Sequence, residues 1–255
     1  MCNLCDPKTK YNNCICPPEW KKFDETLDKI KNVSSELLVE SLRISTITLC
    51  FNLNSEIDTD ALTDKYCVKN KGKFYNSFIF NWHTKYQIKR IVSIKIFKNG
   101  KVQITGVNTI KSCCYIIRKV YNKLYEFSQN SKLSEIKICM INSDFKISGL
   151  LNLYSLCELL NKNNIQSNGN FLNVVYQPIK YPAINTKFVV NSNLSKYNKH
   201  VYNYGIKKKF SDTISILIFR SGSIILTGGN NIDEYLITYK YFLDLIKNNI
   251  NNIII

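Results

Sequence analysis

The chain alternates between short runs of β-branched and aromatic residues and segments with apolar residues three and four positions apart. The short runs predict β-strands; they lie at residues 42–53, 74–82, 135–147 and 171–179. Apolar residues three and four positions apart predict amphipathic helices at about residues 110–127 and 231–247. We also expect helices at about residues 20–38, 54–66 and 149–162, the second of them with acidic residues near its start. Because strands and helices share the chain in this way, we expect an α+β fold.

One segment occurs twice. Residues 92–110, VSIKIFKNGKVQITGVNTI, recur as residues 214–232, ISILIFRSGSIILTGGNNI, at a constant offset of 122 with nine of nineteen positions identical. Each copy predicts a strand, a tight turn at Asn99-Gly100 or Ser221-Gly222, a second strand and then a helix. Two copies are too few for a solenoid, so we expect them to complete one pseudo-symmetric, two-lobed domain.

The repeat divides the chain into three parts. We expect a cysteine-containing extension at residues 1–40, a first repeat at 41–130 and a second at 131–255. Phe97 follows Phe74 by 23 residues, whereas Phe219 follows Phe171 by 48 residues. The second repeat therefore carries an insertion of about 25 residues, which we place at about 183–212 and expect to be a loop or a partly ordered segment.

The net charge of the chain indicates which class of molecule it binds. The chain has 35 Lys and Arg residues against 19 Asp and Glu residues, a formal net charge of +16. Such an excess favours a polyanion such as nucleic acid; the alternative is the lysine-rich amino-acid usage of an A/T-rich genome. No apolar stretch approaches the roughly 18 residues of a membrane helix, and the first residues, MCNLCDPKTK, contain no apolar h-region of the kind found in secretory signals. We expect an intracellular protein without a membrane partner.

Chemistry-bearing residues are few. Four of the ten cysteines, Cys2, Cys5, Cys14 and Cys16, offer enough thiolates for a tetrahedral zinc site; the alternative is a flexible thiol-bearing tail. The others are expected to be thiols, most of them small buried apolar residues. The histidines, His83 and His200, have no neighbouring nucleophile pattern, and no glycine loop could cradle a phosphate. We therefore expect no enzyme activity, no small-molecule substrate and no required cofactor apart from that zinc.

The hairpins IFKNGKVQITG (96–106) and IFRSGSIILTG (218–228), with the order strand, helix, strands, helix in each half, resemble the TATA-box-binding protein family over about residues 42–250. MINSDFKI (140–147), YPAINTKF (181–188) and the longer second half resemble the divergent TATA-binding-like proteins of large cytoplasmic DNA viruses. The resemblance implies a pseudo-two-fold saddle of two repeats. Its curved antiparallel sheet would lie in the DNA minor groove, with the helices on the convex face.

The resemblance also implies which residues contact DNA. Four phenylalanines match the family's wedges between base steps: Phe74, Phe97, Phe171 and Phe219. Thr105 and Thr227 would donate hydrogen bonds to minor-groove acceptors, and Leu217 and Ile225 would contact A·T pairs. Further DNA-binding candidates depart from the family's apolar pattern or carry charge: Lys95, Gln103, Lys101, Lys71 and Lys73. Lys71 and Lys73 lie beside Phe74 in the sequence and are candidate phosphate contacts, with solvated turn lysines as the alternative.

The implied function is transcription initiation. The protein would bind and bend double-stranded, A/T-rich promoter DNA and recruit transcription machinery, with a transcription factor IIB-like factor and RNA polymerase subunits as partners. The alternative is a scaffold for protein interactions with weak or non-specific DNA binding. A viral protein of this kind would act in the viral factory of the host cytoplasm or in the virion, and any other in the nucleus.

Overall fold

The computed structural model describes residues 17, 19–33, 40, 42–66, 77–84, 90–128, 131–166, 171–190 and 213–255. Its helices are α1 (Glu19–Val33), α2 (Thr59–Tyr66), α3 (Ile110–Leu124), α4 (Leu153–Gln166) and α5 (Ile232–Ile253). Its strands are β1 (Arg43–Asn52), β2 (Ser77–Thr84), β3 (Arg90–Phe97), β4 (Lys101–Val107), β5 (Ser134–Lys146), β6 (Phe171–Tyr176), β7 (Ala183–Val189), β8 (Thr213–Phe219) and β9 (Ser223–Gly228). None of these helices is long and apolar enough to cross a membrane.

The chain divides into two structural units. The first comprises residues 1–24 and 44–140, and the second comprises residues 25–43 and 141–255. The strand order is β2-β3-β4-β1 in the first unit and β5-β9-β8-β7-β6 in the second. The pairings within these sets are antiparallel, as predicted for an α+β fold. The boundary falls within β5, ten residues beyond the repeat limit predicted at residue 130.

Each unit has its own apolar core between one face of its strands and its long helix. In the second unit, Ile214, Ile216 and Ile218 of β8 are buried, as are Tyr235 and Tyr239 of α5. In the first unit the buried β3 residues are Val92, Ile94 and Ile96, and the buried α3 residues include Ile116, Ile117 and Val120. Successive side chains of a strand point to opposite faces, so each sheet keeps a second face directed away from its helix.

Glycine shapes the turn of both repeat hairpins. Gly100 has φ +79° and Gly222 has φ +81°, values that other residues rarely adopt. A Cβ atom would lie 2.2 Å from the Ser55 carbonyl oxygen at the first position and 2.1 Å from the Ile147 carbonyl oxygen at the second. The identical glycines of the repeat are therefore required by a close approach of the backbone.

The helices after the hairpins begin at corresponding positions. Thr109 caps α3 by accepting a hydrogen bond from the Ser112 N–H at 3.1 Å, and Asn231 caps α5 by accepting one from the Asp233 N–H at 3.0 Å. Such caps satisfy backbone donors that a helix leaves unpaired. Thr109 and Asn231 occupy equivalent positions of the two repeat copies. The second unit therefore repeats the two strands, the turn and the start of the helix of the first unit.

Two expectations differ from the structure. Residues 183–189 form β7 rather than a loop, because Ile184, Thr186 and Phe188 are buried while β7 pairs with β6 and β8. The remainder of the predicted insertion, residues 191–212, lies outside the described residues. Among the cysteines, Cys113 is a buried free thiol as expected, but Cys114 is disulfide-bonded.

Candidate nucleic-acid interface

The candidate interface consists of one sheet face in each unit. The first-unit face is formed by side chains of β1 to β4 that alternate with the buried residues: Cys50, Ile79, Ser93, Lys95, Phe97, Lys101, Gln103 and Thr105. Thr48 opposes Thr105 at the edge of this face and is itself buried. The second-unit face is formed in the same way by β5 and β7 to β9: Asn142, Asp144, Asn185, Lys187, Ser215, Leu217, Phe219, Ile225 and Thr227. Ala183 opposes Phe219 and is itself buried. All candidates on these faces come from strands, which hold them in register.

The first-unit face is polar at its centre. Lys95 lies between Ile79 on β2 and Gln103 on β4 in the strand register. The ammonium nitrogen of Lys95 also lies 5.3 Å from the ring centroid of Phe97, a cation–π distance. The positive charge of Lys95 therefore lies close to the ring of Phe97, one of the predicted wedges.

The second-unit face is apolar at its centre. Leu217 pairs with Ile225 across β8 and β9, at the positions that Lys95 and Gln103 occupy in the first repeat. Both side chains are partly exposed. This solvent-exposed apolar pair can pack against a surface from which no hydrogen-bond donor projects, because no polar group would then be buried without a partner.

A hydrogen-bonded polar pair lies beside each centre. The hydroxyl oxygens of Thr48 and Thr105 are 3.3 Å apart in the first unit. In the second unit the Thr227 hydroxyl donates to the Asn142 side-chain oxygen. Both predicted threonines therefore lie on the candidate faces. Asn142 was not predicted: it opposes Thr227 in the register of β5 and β9, a pairing that the sequence pattern does not reveal.

The structure places Phe97 and Phe219 at the hairpin ends of β3 and β8, where both are partly exposed. Phe219 opposes the small Ala183 on β7. Its ring centroid is 6.1 Å from that of Tyr181, which is 44% exposed. The second-unit face therefore ends in a pair of accessible aromatic rings. The signal for Tyr181 is the Tyr-Pro step in YPAINTKF, immediately before the strand that pairs with β8.

The assignment of Phe171 as a wedge is wrong in this structure. Phe171 is 1% exposed, and its ring centroid lies 5.2 Å from that of Phe188 and 5.7 Å from that of Tyr241. In the register it opposes Phe188, whose side chain is also buried. Phe171, the predicted wedge, opens β6, whereas the accessible ring is that of Tyr181, which precedes β7.

The remaining candidates fall into two groups. Lys101 is exposed at the start of β4, opposite Asn52. Seven others lie outside the described residues: Phe74, Lys71, Lys73, Cys2, Cys5, Cys14 and Cys16. Within the described part of the chain, no three His, Cys, Asp or Glu side chains are grouped closely enough to hold a metal ion.

One carboxylate lies on the second-unit face, and a cation offsets it. Asp144 opposes Ile225, and its side-chain oxygen accepts a hydrogen bond from Arg43 at 2.7 Å. This hydrogen bond and the charge of Asp144 raise the pKa of Arg43. Since Arg43 is largely exposed, the ion pair adds little to the free energy of unfolding. The charge of Arg43 nevertheless neutralises that of Asp144 on a face that would approach phosphates.

Comparisons with known proteins agree with this geometry. The family described as "Transcription factor TFIID (or TATA-binding protein, TBP)" matches residues 41–127. A "TATA-box-binding protein-like" protein of Acanthamoeba polyphaga mimivirus is 27% identical over 280 aligned residues, which cover 90% of this chain and 71% of the relative. Methanococcus jannaschii TBP has a similar fold, with a TM-score of 0.55, 17% sequence identity and coverage of 82% of this chain and 98% of its own. Residues 41–127 thus match the model of this family, and the predicted resemblance of the chain to the TATA-binding protein family is confirmed.

Proposed function

We propose that this protein binds A/T-rich double-stranded DNA in the minor groove, bends it and recruits transcription machinery to it. The family supports the coarser statement, a TATA-binding-like DNA-binding transcription factor. The observation that carries the finer proposal is the accessible pair Tyr181 and Phe219 at the end of the second-unit face, next to the apolar pair Leu217 and Ile225.

The centre of the second-unit face suits the floor of an A·T minor groove. A·T pairs present only acceptors there, whereas a G·C pair adds the guanine amino group. Leu217 and Ile225 can approach a floor that has no such group. The Thr227 hydroxyl donates to the Asn142 side-chain oxygen and so orients that amide, whose nitrogen can donate to adenine N3 and thymine O2. The face therefore favours A·T over G·C pairs.

The exposed rings supply the bending. Proteins that bind the minor groove insert apolar side chains between base steps, and the unstacking energy is offset by the larger contact surface of bent DNA. Phe219 and Tyr181 occupy the end of the second-unit face, and Phe97 occupies the equivalent hairpin position in the first unit. The net charge of +16 supplies the phosphate attraction that such binding requires.

The other functional expectations are part of this proposal. We infer that the protein acts without catalysis and without a required cofactor. A transcription factor IIB-like factor and RNA polymerase subunits would be its partners. The similarity to a mimivirus protein supports action in a viral factory of the host cytoplasm or in the virion.

Gel-shift and fluorescence-based bending measurements on A/T-rich and G/C-rich duplexes, repeated over a salt series, test the proposal. The double variant Phe97→Ala and Phe219→Ala should lose bending, because no ring remains at either hairpin to enter a base step. Tyr125→Ala is the matched control, since Tyr125 is 47% exposed but follows α3, away from the strand faces. Bending that survives in the double variant contradicts the proposal.

The polar first-unit face favours a second function, a scaffold for protein interactions. Lys95 and Gln103 stand where the other repeat is apolar, which weakens the fit of this face to a groove floor. For a scaffold, duplex affinity at physiological salt should be equal for A/T-rich and G/C-rich DNA, and polymerase subunits should still co-purify with the protein.

A further inference from the structure

The two candidate faces offer different hydrogen-bonding groups at their centres. Gln103 of β4 opposes Lys95 of β3, and Ile225 of β9 opposes Leu217 of β8. Gln103 and Ile225 are equivalent, since the repeat offset of 122 joins them. Both β4 and β9 pair with a strand on each side, which fixes the register, and both side chains are partly exposed. The first-unit face therefore presents an amide where the second-unit face presents an alkyl group.

The amino group of guanine is the group that these two centres distinguish. In the minor groove an A·T pair presents only acceptors, whereas a G·C pair adds the guanine amino donor. Against Leu217 and Ile225 this donor would be buried without a partner, which costs free energy. The side-chain amide of Gln103 has an oxygen that accepts and a nitrogen that donates, whereas Lys95 has donors only. Gln103 can therefore accept from the guanine amino group and donate to a base acceptor beside it.

The acceptors of the second-unit face lie beside its centre. The Asn142 side-chain oxygen accepts from the Thr227 hydroxyl, and an Asp144 oxygen accepts from Arg43 at 2.7 Å. Asn185 lies on β7, which β8 separates from β9. A guanine amino group at the centre of this face would thus meet alkyl groups.

We propose that Gln103 is a specificity-determining residue that accepts a hydrogen bond from a guanine amino group in the minor groove. The base pairs read by the first-unit face then include G·C, while those read by the second-unit face are A·T. This role of Gln103 rests on the proposed function, because it concerns the same interface. The ammonium nitrogen of Lys95, 5.3 Å from the Phe97 ring centroid, keeps beside Gln103 a positive charge that attracts phosphates whatever the base pair.

The test uses the full chain and A/T-rich duplexes in which one pair at a time is replaced by G·C or by inosine·cytosine. Inosine lacks the guanine amino group and presents the same major-groove groups, so a comparison of the two replacements isolates that amino group. Competition binding followed by fluorescence anisotropy should reveal two kinds of contacted position. At sensitive positions, G·C should weaken binding about 5- to 150-fold relative to A·T, and inosine should restore it. At tolerant positions, G·C should bind within about twofold of A·T, and inosine should weaken binding at least about threefold.

Substitution of Gln103 should change only the tolerant positions. In Gln103→Leu these should become sensitive, with a loss for G·C of at least about fivefold. The variant should fold, because the equivalent residue Ile225 is also apolar. Ile225→Gln is the reciprocal variant and should reduce the G·C penalty at the sensitive positions. Asn122→Leu is the matched control, since it removes an amide that is exposed on α3, and it should alter no position.

A failure of Gln103 to read guanine can be distinguished from a failure of the proposed function. If G·C weakens binding at every contacted position, or if folded Gln103→Leu has the wild-type profile, Gln103 does not read guanine, although binding to A/T-rich DNA stands. If circular dichroism shows that Gln103→Leu does not fold, the inosine comparison in the wild-type protein decides the question alone. Equal affinity for guanine- and inosine-containing duplexes at every position overturns minor-groove recognition, and with it both proposals.

Discussion

The two repeat hairpins have the same backbone and different faces. In both units the turn glycine accepts a backbone hydrogen bond at 3.0 Å, from Leu53 in the first unit and from Ile147 in the second. The face above this backbone carries Lys95 and Gln103 in one unit and Leu217 and Ile225 in the other. The difference teaches that the repeat preserves residues that determine the chain path, whereas partly exposed strand positions diverge because no packing constrains them.

The aromatic residues sharpen this comparison. In the second unit, Phe171 fills the core while Tyr181 and Phe219 remain accessible. In the first unit, Phe97 lies under the ammonium group of Lys95. We therefore expect the second unit to provide the apolar part of DNA recognition and the first unit to provide more of the charge.

The largest effect is expected from Phe171→Ala. Removal of a fully buried phenylalanine leaves a cavity and typically costs about 3–5 kcal/mol of unfolding free energy. Urea denaturation followed by circular dichroism measures the change. Tyr181→Ala is the control and should change stability much less, because Tyr181 is 44% exposed. Equal losses in the two variants would show that Phe171 is no more part of the core than Tyr181.

Substitution of the turn glycines should follow in magnitude and should affect both units alike. Gly100→Ala and Gly222→Ala each force a side chain into a positive-φ position within 2.2 Å of a carbonyl oxygen, and such strain costs about 1–3 kcal/mol. Thermal denaturation of each variant measures the loss. Ser221→Ala, next to Gly222 and exposed, is the control. A loss confined to one variant would break the equivalence of the two turns.

Removal of the accessible rings should reduce DNA affinity without changing stability. Aromatic stacking contributes about 1–3 kcal/mol per base when measured by alanine substitution, so Phe219→Ala and Tyr181→Ala should each weaken binding about 5- to 150-fold. Fluorescence anisotropy with an A/T-rich duplex measures this. Tyr181→Phe keeps the ring and should keep the affinity. If Tyr181→Ala binds like the wild type, Tyr181 is not part of the interface.

The smallest effect is expected when the first-unit face is converted to the sequence of the second. Lys95→Leu removes one cation, and each phosphate contact that is lost reduces the slope of log K against log salt by about one. Binding titrations between low and physiological salt measure the slope. Lys111→Leu, on the exposed side of α3, should leave it unchanged. An unchanged slope for Lys95→Leu would exclude a phosphate contact at this residue.

Much of the fold was predictable from the sequence because its signals are local. The hairpins follow from alternating apolar residues around Asn99-Gly100 and Ser221-Gly222, and the helix after each follows from apolar residues three and four positions apart. The strand β7 was not predicted because residues 183–189 lie next to a long Asn-, Tyr- and Lys-rich segment. Its burial depends on pairing with β6 and β8, and one of these partners is distant in the chain.

The sequence by itself determined the duplication, the turn glycines and the resemblance to the TATA-binding protein family, since each depends on residue type at fixed spacing, and its composition determined the basic charge. The tertiary structure alone decided which aromatic residues are accessible and that the Thr227 hydroxyl donates a hydrogen bond to Asn142. The physical reason is that a one-residue change of strand register moves a side chain to the opposite face of a sheet. Register is set by pairing between distant strands, so it places Phe171 in the core and leaves Tyr181 beside Phe219.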